Sequence, residues 1–104
     1  MNKYEKEVVG EYELYKCDSI TILKNVDEFS KLVLNDNKTF DLKYNGKSLN
    51  GNWTANDYGD WTIIDFEYQN VFIRAQVGRE EITFNTLSGF GLGNLENVKF
   101  TKLK

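Results

Sequence analysis

Leu32-Val33-Leu34-Asn35-Asp36-Asn37-Lys38-Thr39-Phe40-Asp41-Leu42-Lys43-Tyr44-Asn45-Gly46-Lys47-Ser48-Leu49-Asn50-Gly51 is the stretch that decides the fold. Apolar and polar side chains alternate around two turn signals, the period-two signature of half-buried strands. Asn45-Gly46 suits a two-residue type I′ turn, because both central residues of such a turn need φ > 0. Closing a hairpin there sets Leu42 opposite Leu49 and Phe40 opposite Gly51, all on one face, and Gly51 leaves room for the Phe40 ring. At the preceding turn, a three-residue loop from Asp36 to Lys38 sets Leu34 against Phe40 and Leu32 against Leu42. A two-residue loop would set Leu32 against Asp41, and a one-residue slip turns every side chain to the other face.

The same operation extends outward. A four-residue loop Asp57-Tyr58-Gly59-Asp60 sets Trp53 opposite Ile64 and Ala55 opposite Thr62. A turn at Gln69-Asn70 sets Phe66 opposite Ile73, Ile64 opposite Ala75 and, on the other face, Asp65 opposite Arg74, an opposite-charge cross-strand pair. Gly78-Arg79 opens a hairpin with Ala75 opposite Ile82 and Ile73 opposite Phe84. Six consecutive strands thereby share one inward set: Leu32, Leu34, Phe40, Leu42, Leu49, Trp53, Ile64, Phe66, Ile73, Ala75, Ile82 and Phe84. Upstream, Gly10 to Lys16 reads as a strand with Tyr12 and Leu14 inward. Ile20 to Lys24 reads as a strand or strand extension, and Val26 to Phe29 as a helical turn started by Asn25 or Asp27. Asn97 to Lys102 is a closing strand with Val98 and Phe100 on one side. The expectation is an all-β single domain over residues 1–104. Its architecture is an antiparallel up-and-down barrel or strongly curved meander of about eight strands, since closure removes exposed edges.

Composition narrows the chemistry. One domain is all that 104 residues support, and 40% hydrophobic with 14% aromatic side chains is enough to pack its interior. The chain has no histidine and one cysteine, which removes histidine triads, histidine acid–base pairs and the usual zinc sites. Thirteen basic against 16 acidic side chains leave −3, without the basic footprint of a nucleic-acid binder. No apolar run approaches the ~18 residues that span a bilayer. The opening Met1-Asn2-Lys3-Tyr4 carries no apolar h-region, and the lone Cys17 fits a reducing compartment. A cytoplasmic protein without cofactor, metal, nucleic-acid or membrane partner, and without catalytic activity, is expected. Asp57, Asp60, Asp65 and Glu67 lack the spacing of a calcium loop, and Asp65 and Glu67 fall outward, away from any acid-raising interior. Gly89-Phe90-Gly91-Leu92-Gly93 lacks the Lys-Ser/Thr of a phosphate loop and reads as a connection into the last strand, where Phe90 and Leu92 could form an apolar flap.

Val9-Gly10-Glu11-Tyr12-Glu13-Leu14 resembles the opening strand of lipocalin-like proteins, which carry Gly-x-Trp there. The run from Leu32 to Phe40, with Asn45-Gly46-Lys47 and Gly51-Asn52-Trp53 after it, is similar to small bacterial lipocalin-like domains. The resemblance implies a barrel whose last strand closes on its first. The chain departs in three respects. Tyr12 stands at the tryptophan position, Lys99, Lys102 and Lys104 replace an arginine near the C-terminus, and the chain is shorter than a typical ligand-carrying lipocalin. An abundance of asparagine and lysine suggests an AT-rich bacterial or phage genome.

Three function classes compete: a protein-binding module, a carrier of a small apolar ligand and an enzyme, the last disfavoured because the chain has no histidine and Cys17 has no activating partner in sequence. Trp61, Ile63 and Phe72 fall on the outward face beside the Asp65–Arg74 pair, with Asp57, Tyr58 and Asp60 in the adjoining acidic turn. Large apolar side chains rimmed by charge mark protein contacts. They point to a non-catalytic acidic module that occludes the basic surface of a protein partner, as a bacterial or phage immunity or inhibitor protein does. The competing explanation of these side chains is cover by the N-terminal segment or by Ile20 to Phe29. The alternative function is a carrier or sensor of a small apolar ligand inside the barrel, lined by Tyr44, Trp53, Phe66, Tyr68 and Phe90. Seven rings (Phe40, Tyr44, Trp53, Phe66, Tyr68, Phe84 and Phe100) would compete for that interior, which favours a filled core.

Overall fold

Eight antiparallel strands, each hydrogen-bonded to its neighbours in the chain, curl until the last meets the first in the computed structural model. It describes residues 1–15, 29–44, 46–84 and 98–103, with Phe29 described through its backbone. A short helix α1 (Lys3–Val8) precedes β1 (Gly10–Leu14), β2 (Phe29–Leu34), β3 (Thr39–Tyr44), β4 (Lys47–Asp57), β5 (Thr62–Tyr68), β6 (Val71–Gly78), β7 (Glu81–Phe84) and β8 (Lys99–Lys102). The barrel closes through Tyr12 opposite Lys102, Glu13 opposite Thr101 and Leu14 opposite Phe100. All twelve expected inward residues are buried in one core, joined by Tyr12, Leu14, Val98 and Phe100. Cys17, the Ile20–Lys24 strand, Val26 to Glu28 of the helical turn and the Gly89–Gly93 connection with Phe90 lie outside the described residues. Phe29, assigned to that turn from sequence, instead begins β2 opposite Tyr44.

The turns show which local rules set the register. Between β2 and β3, Leu34 faces Phe40 and Leu32 faces Leu42; Lys38 takes the left-handed φ of 67° that ends a three-residue loop. Between β3 and β4, Leu42 faces Leu49 and Phe40 faces Gly51. A Cβ at Gly51 would stand 2.7 Å from the Phe40 ring and collide with the Glu67 carbonyl oxygen, so only glycine fits that rung. Gln69 and Asn70, both at positive φ, make the β5–β6 turn that sets Phe66 opposite Ile73, Ile64 opposite Ala75 and Asp65 opposite Arg74.

Two registers differ from the sequence expectation, each by two residues. Trp53 faces Phe66 and Ala55 faces Ile64, with Asp57 opposite Thr62, so the β4–β5 loop runs from Tyr58 to Trp61. Ala75 faces Phe84 and Val77 faces Ile82, because Arg79 and Glu80 take the two positive φ angles of the turn and Gly78 stays in β6. A two-residue shift leaves every side chain on its original face. The apolar pattern therefore fits both registers equally, and turn geometry decides between them.

Three ring contacts run through the interior. Phe40 meets Phe66 edge-on at 5.1 Å, Phe66 meets Phe84 at 5.3 Å, and Phe84 meets Phe100 at 5.9 Å. The separations are those of favourable aromatic pairs. They carry the core across the barrel from β3 to β8.

Candidate functional site

The outer face of β4, β5 and β6 holds the candidate contact residues in rows fixed by strand pairing. Arg74 and Asp65 share the central row, with Arg74 Nε donating to Asp65 Oδ1 at 2.8 Å. That bond, with the neighbouring negative charge, raises the already high Arg74 pKa. The Arg74 guanidinium lies 5.3 Å from the centre of the Tyr58 ring, a cation–π distance. Phe72, opposite Glu67, is 76% exposed, and Trp61 is 53% exposed. Trp61 lies in the β4–β5 loop, six residues before Glu67. At ~3.3 Å per strand residue the backbone positions of Trp61 and Glu67 are about 20 Å apart along the sheet, with the Asp65–Arg74 pair between them.

Ile63 corrects the expected patch. It lies on the outer face, opposite Asn56 and Gln76, yet is only 8% exposed. Tyr58 follows β4 and Arg74 sits on β6, so their stack passes over β5, where Ile63 lies. Among the described residues the exposed contact set is therefore Tyr58, Trp61, Phe72 and Arg74, edged by Asp57 and Asp60. The N-terminal segment touches its rim, where the Tyr4 hydroxyl donates to Asp57 Oδ2 at 3.3 Å, and leaves Trp61 and Phe72 exposed.

Helix α1 crosses one end of the barrel. The strand alternation passes over this helix, although Asn2 and Glu5 have the spacing of a capping box: Asn2 Oδ1 accepts from the Glu5 N–H at 2.8 Å while Glu5 Oε1 accepts from the Asn2 N–H at 2.9 Å. Where it docks was not readable, since Ala55 is far away in sequence. Glu5 Oε2 accepts from the Ala55 N–H at 3.2 Å, and Asn2 Nδ2 donates to the Ala55 carbonyl at 2.9 Å. Lys38 Nζ lies 3.3 Å from Glu5 Oε1. Glu5 is 2% exposed. Burial alone would raise its pKa, but the Asn2 and Ala55 N–H groups and the Lys38 ammonium outweigh that and hold it below the ordinary value.

At the same end, the Tyr12 hydroxyl donates to the Val8 carbonyl at 2.8 Å. Burial, reinforced by the Glu80 carboxylate, pushes its pKa up to about 12. Lys102 reaches across Gly10, where an added Cβ would meet its Cε at 2.8 Å, and donates to the Glu7 carbonyl at 3.0 Å. A cleft of about 310 Å³ opens here, lined by Glu7, Val8, Tyr12, Thr62, Val77, Glu80 and Lys102.

The interior alternative gathers only in part. Trp53 and Phe66 face each other and are fully buried, and Tyr68 lies one inward position beyond Phe66. Trp53 Nε1 donates to the Asn35 carbonyl at 3.1 Å. Tyr44 stands opposite Lys47, six residues along β4 from Trp53, so about 20 Å separate the two along the strand. The cleft beside α1, and another of about 390 Å³ at Glu13, Leu14, Tyr15 and Thr101, are lined by none of these rings. Among the described residues no three His, Cys, Asp or Glu side chains gather as metal ligands, and no helix is long and apolar enough to cross a membrane. No family model, curated protein or solved structure matches the chain.

Proposed function

We propose that this barrel is a non-catalytic protein-binding module whose contact face is the outer surface of β4 to β6. The observation that carries the reading is Phe72, a large ring left 76% exposed on a regular strand, with Trp61 and Tyr58 at the other end of the same face. Asp57 and Asp60 beside Trp61 add negative charge at the rim, which suits a partner with a basic surface and acts chiefly on the association rate. An immunity or inhibitor protein that occludes such a surface is the class this fits. The closed barrel with Gly10-x-Tyr12 on β1, and Lys102 of β8 laid over Gly10, supports a distant lipocalin-like relationship; the packed rings around Trp53 and Phe66 weigh against an interior carrier.

Capture from the cells that make the protein, repeated with variants, tests this. Trp61→Ala and Phe72→Ala are each expected to lose the partner while staying folded, by about 2 kcal/mol if each is an anchor. Lysine at positions 57 and 60 should slow association and flatten its salt dependence. A folded Trp61→Ala, Phe72→Ala double variant that retains the captured protein overturns the assignment.

A further inference from the structure

Strand β4 outruns its neighbour. Pairing between β3 and β4 ends at Thr39 opposite Asn52, followed by the Trp53 N–H donating to the Lys38 carbonyl at 2.9 Å. Two residues on, the N–H and carbonyl of Ala55 point to the same side, where a longer β3 would have met them. Asn2 and Glu5 stand there instead, and a carboxamide donor and a carboxylate acceptor reproduce the two groups of one peptide unit.

We propose that Thr54–Asp57 of β4 is a strand-pairing site, occupied by α1 in the free protein and taken by an extended acidic peptide when α1 lifts away. The occupant α1 is built to leave. A six-residue helix does not persist alone in water, so its order depends on this docking. Much of the docking is the buried Glu5 carboxylate, whose desolvation offsets a large part of what its partners return. The eight strands close on one another without α1, which contributes Val8 alone to the apolar core. Elements held this way open at lower free energy than the core.

The vacated edge defines its ligand. A peptide continuing the direction of β3 runs antiparallel to β4, offering a carbonyl to the Ala55 N–H and an N–H to its carbonyl. Its C-terminal end meets Lys38, whose ammonium has lost Glu5 and takes a carboxylate in its place. The opposite end meets Asp57, which receives the Tyr4 hydroxyl at 3.3 Å in the closed form and disfavours acid there. This is strand addition, with main-chain bonds supplying affinity and end charges supplying orientation. It shares Asp57 with the outer-face reading but does not rest on it.

The test uses the full chain and the acetylated, amidated peptide Thr-Val-Thr-Val-Glu, with a Lys-ended version as control. In native-state hydrogen exchange, the Ala55 amide, the Lys6 amide of α1 and the Val9 amide that caps it are expected to open together, at least tenfold faster than those of β5 and β6. An Asn2→Ala, Glu5→Ala variant is expected to bind the Glu-ended peptide at least tenfold more tightly than the parent, and Lys38→Glu in that background to prefer the Lys-ended one. Should that variant lose barrel protection, Glu5→Gln replaces it in the same comparison. Exchange of Ala55 only with the barrel, equal binding to parent and variant, or binding to neither overturns the proposal.

Discussion

Between Leu32 and Phe84 the chain repeats one operation, a strand of alternating polarity folded back by a short turn, and each turn brings together residues already close in sequence. At the α1 end a buried carboxylate and a carboxamide reach residues some fifty positions away and hold them through hydrogen bonds and charge. The first region draws its stability from apolar area, which is additive and indifferent to pH. The second depends on a few directional bonds whose value changes with protonation. One molecule thus contains a wall that should fail only as a whole and a cap that should fail alone.

The sharpest break in the wall is Phe66→Ala. Phe66 touches both Phe40 and Phe84 at the centre of the ring chain, so its removal is expected to cost about 3–5 kcal/mol, measured as a drop in denaturant midpoint at unchanged slope. At the cap, Glu5→Ala leaves the buried Ala55 N–H without its acceptor and should cost about 1–3 kcal/mol. Folding lowers the Glu5 pKa, so its contribution is complete above the ordinary 4.5 and is lost as pH falls through the lower folded value. The stability gap between the parent and Glu5→Gln should therefore narrow on acidification below that range, while the gap for Phe66→Ala stays put. Tyr12→Phe removes one bond to Val8 and should cost about 1 kcal/mol. Folding raises the Tyr12 pKa, so its contribution is complete below pH 10.0 and lost as pH climbs toward 12; ultraviolet titration of the parent against Tyr12→Phe should show the missing phenol ionising near that value. Smallest of all, Arg74→Ala should move the thermal midpoint least, because its ion pair with Asp65 is exposed and only its stack on Tyr58 is lost besides.

Legibility followed the same division. Leu42 opposite Leu49, Phe40 opposite Gly51 and Asp65 opposite Arg74 could be read because each was fixed by a short loop and the parity of its neighbours. Trp53 opposite Phe66 and Val77 opposite Ile82 could not, since parity is blind to shifts of two and Arg79-Glu80 gives no glycine signal for a turn with two positive φ angles. On the candidate face, Phe72 and Trp61 were placed outward by alternation alone. The Tyr58–Arg74 stack reaches across the strand that carries Ile63, and the docking of Glu5 on Ala55 joins distant positions; neither leaves a mark in local sequence.

The seam between β1 and β8 has a kinetic consequence. Among the described residues every other strand pair joins chain neighbours, whereas Tyr12 and Lys102 lie about 90 residues apart, and loop-closure entropy rises as the logarithm of that separation. Contacts of this kind reward the chain only after the intervening strands have formed, so the seam closes later than any hairpin does. Its three rungs, Tyr12–Lys102, Glu13–Thr101 and Leu14–Phe100, should accordingly contribute little to the folding transition state. Weakening them would speed unfolding and leave the refolding limb of a chevron nearly untouched.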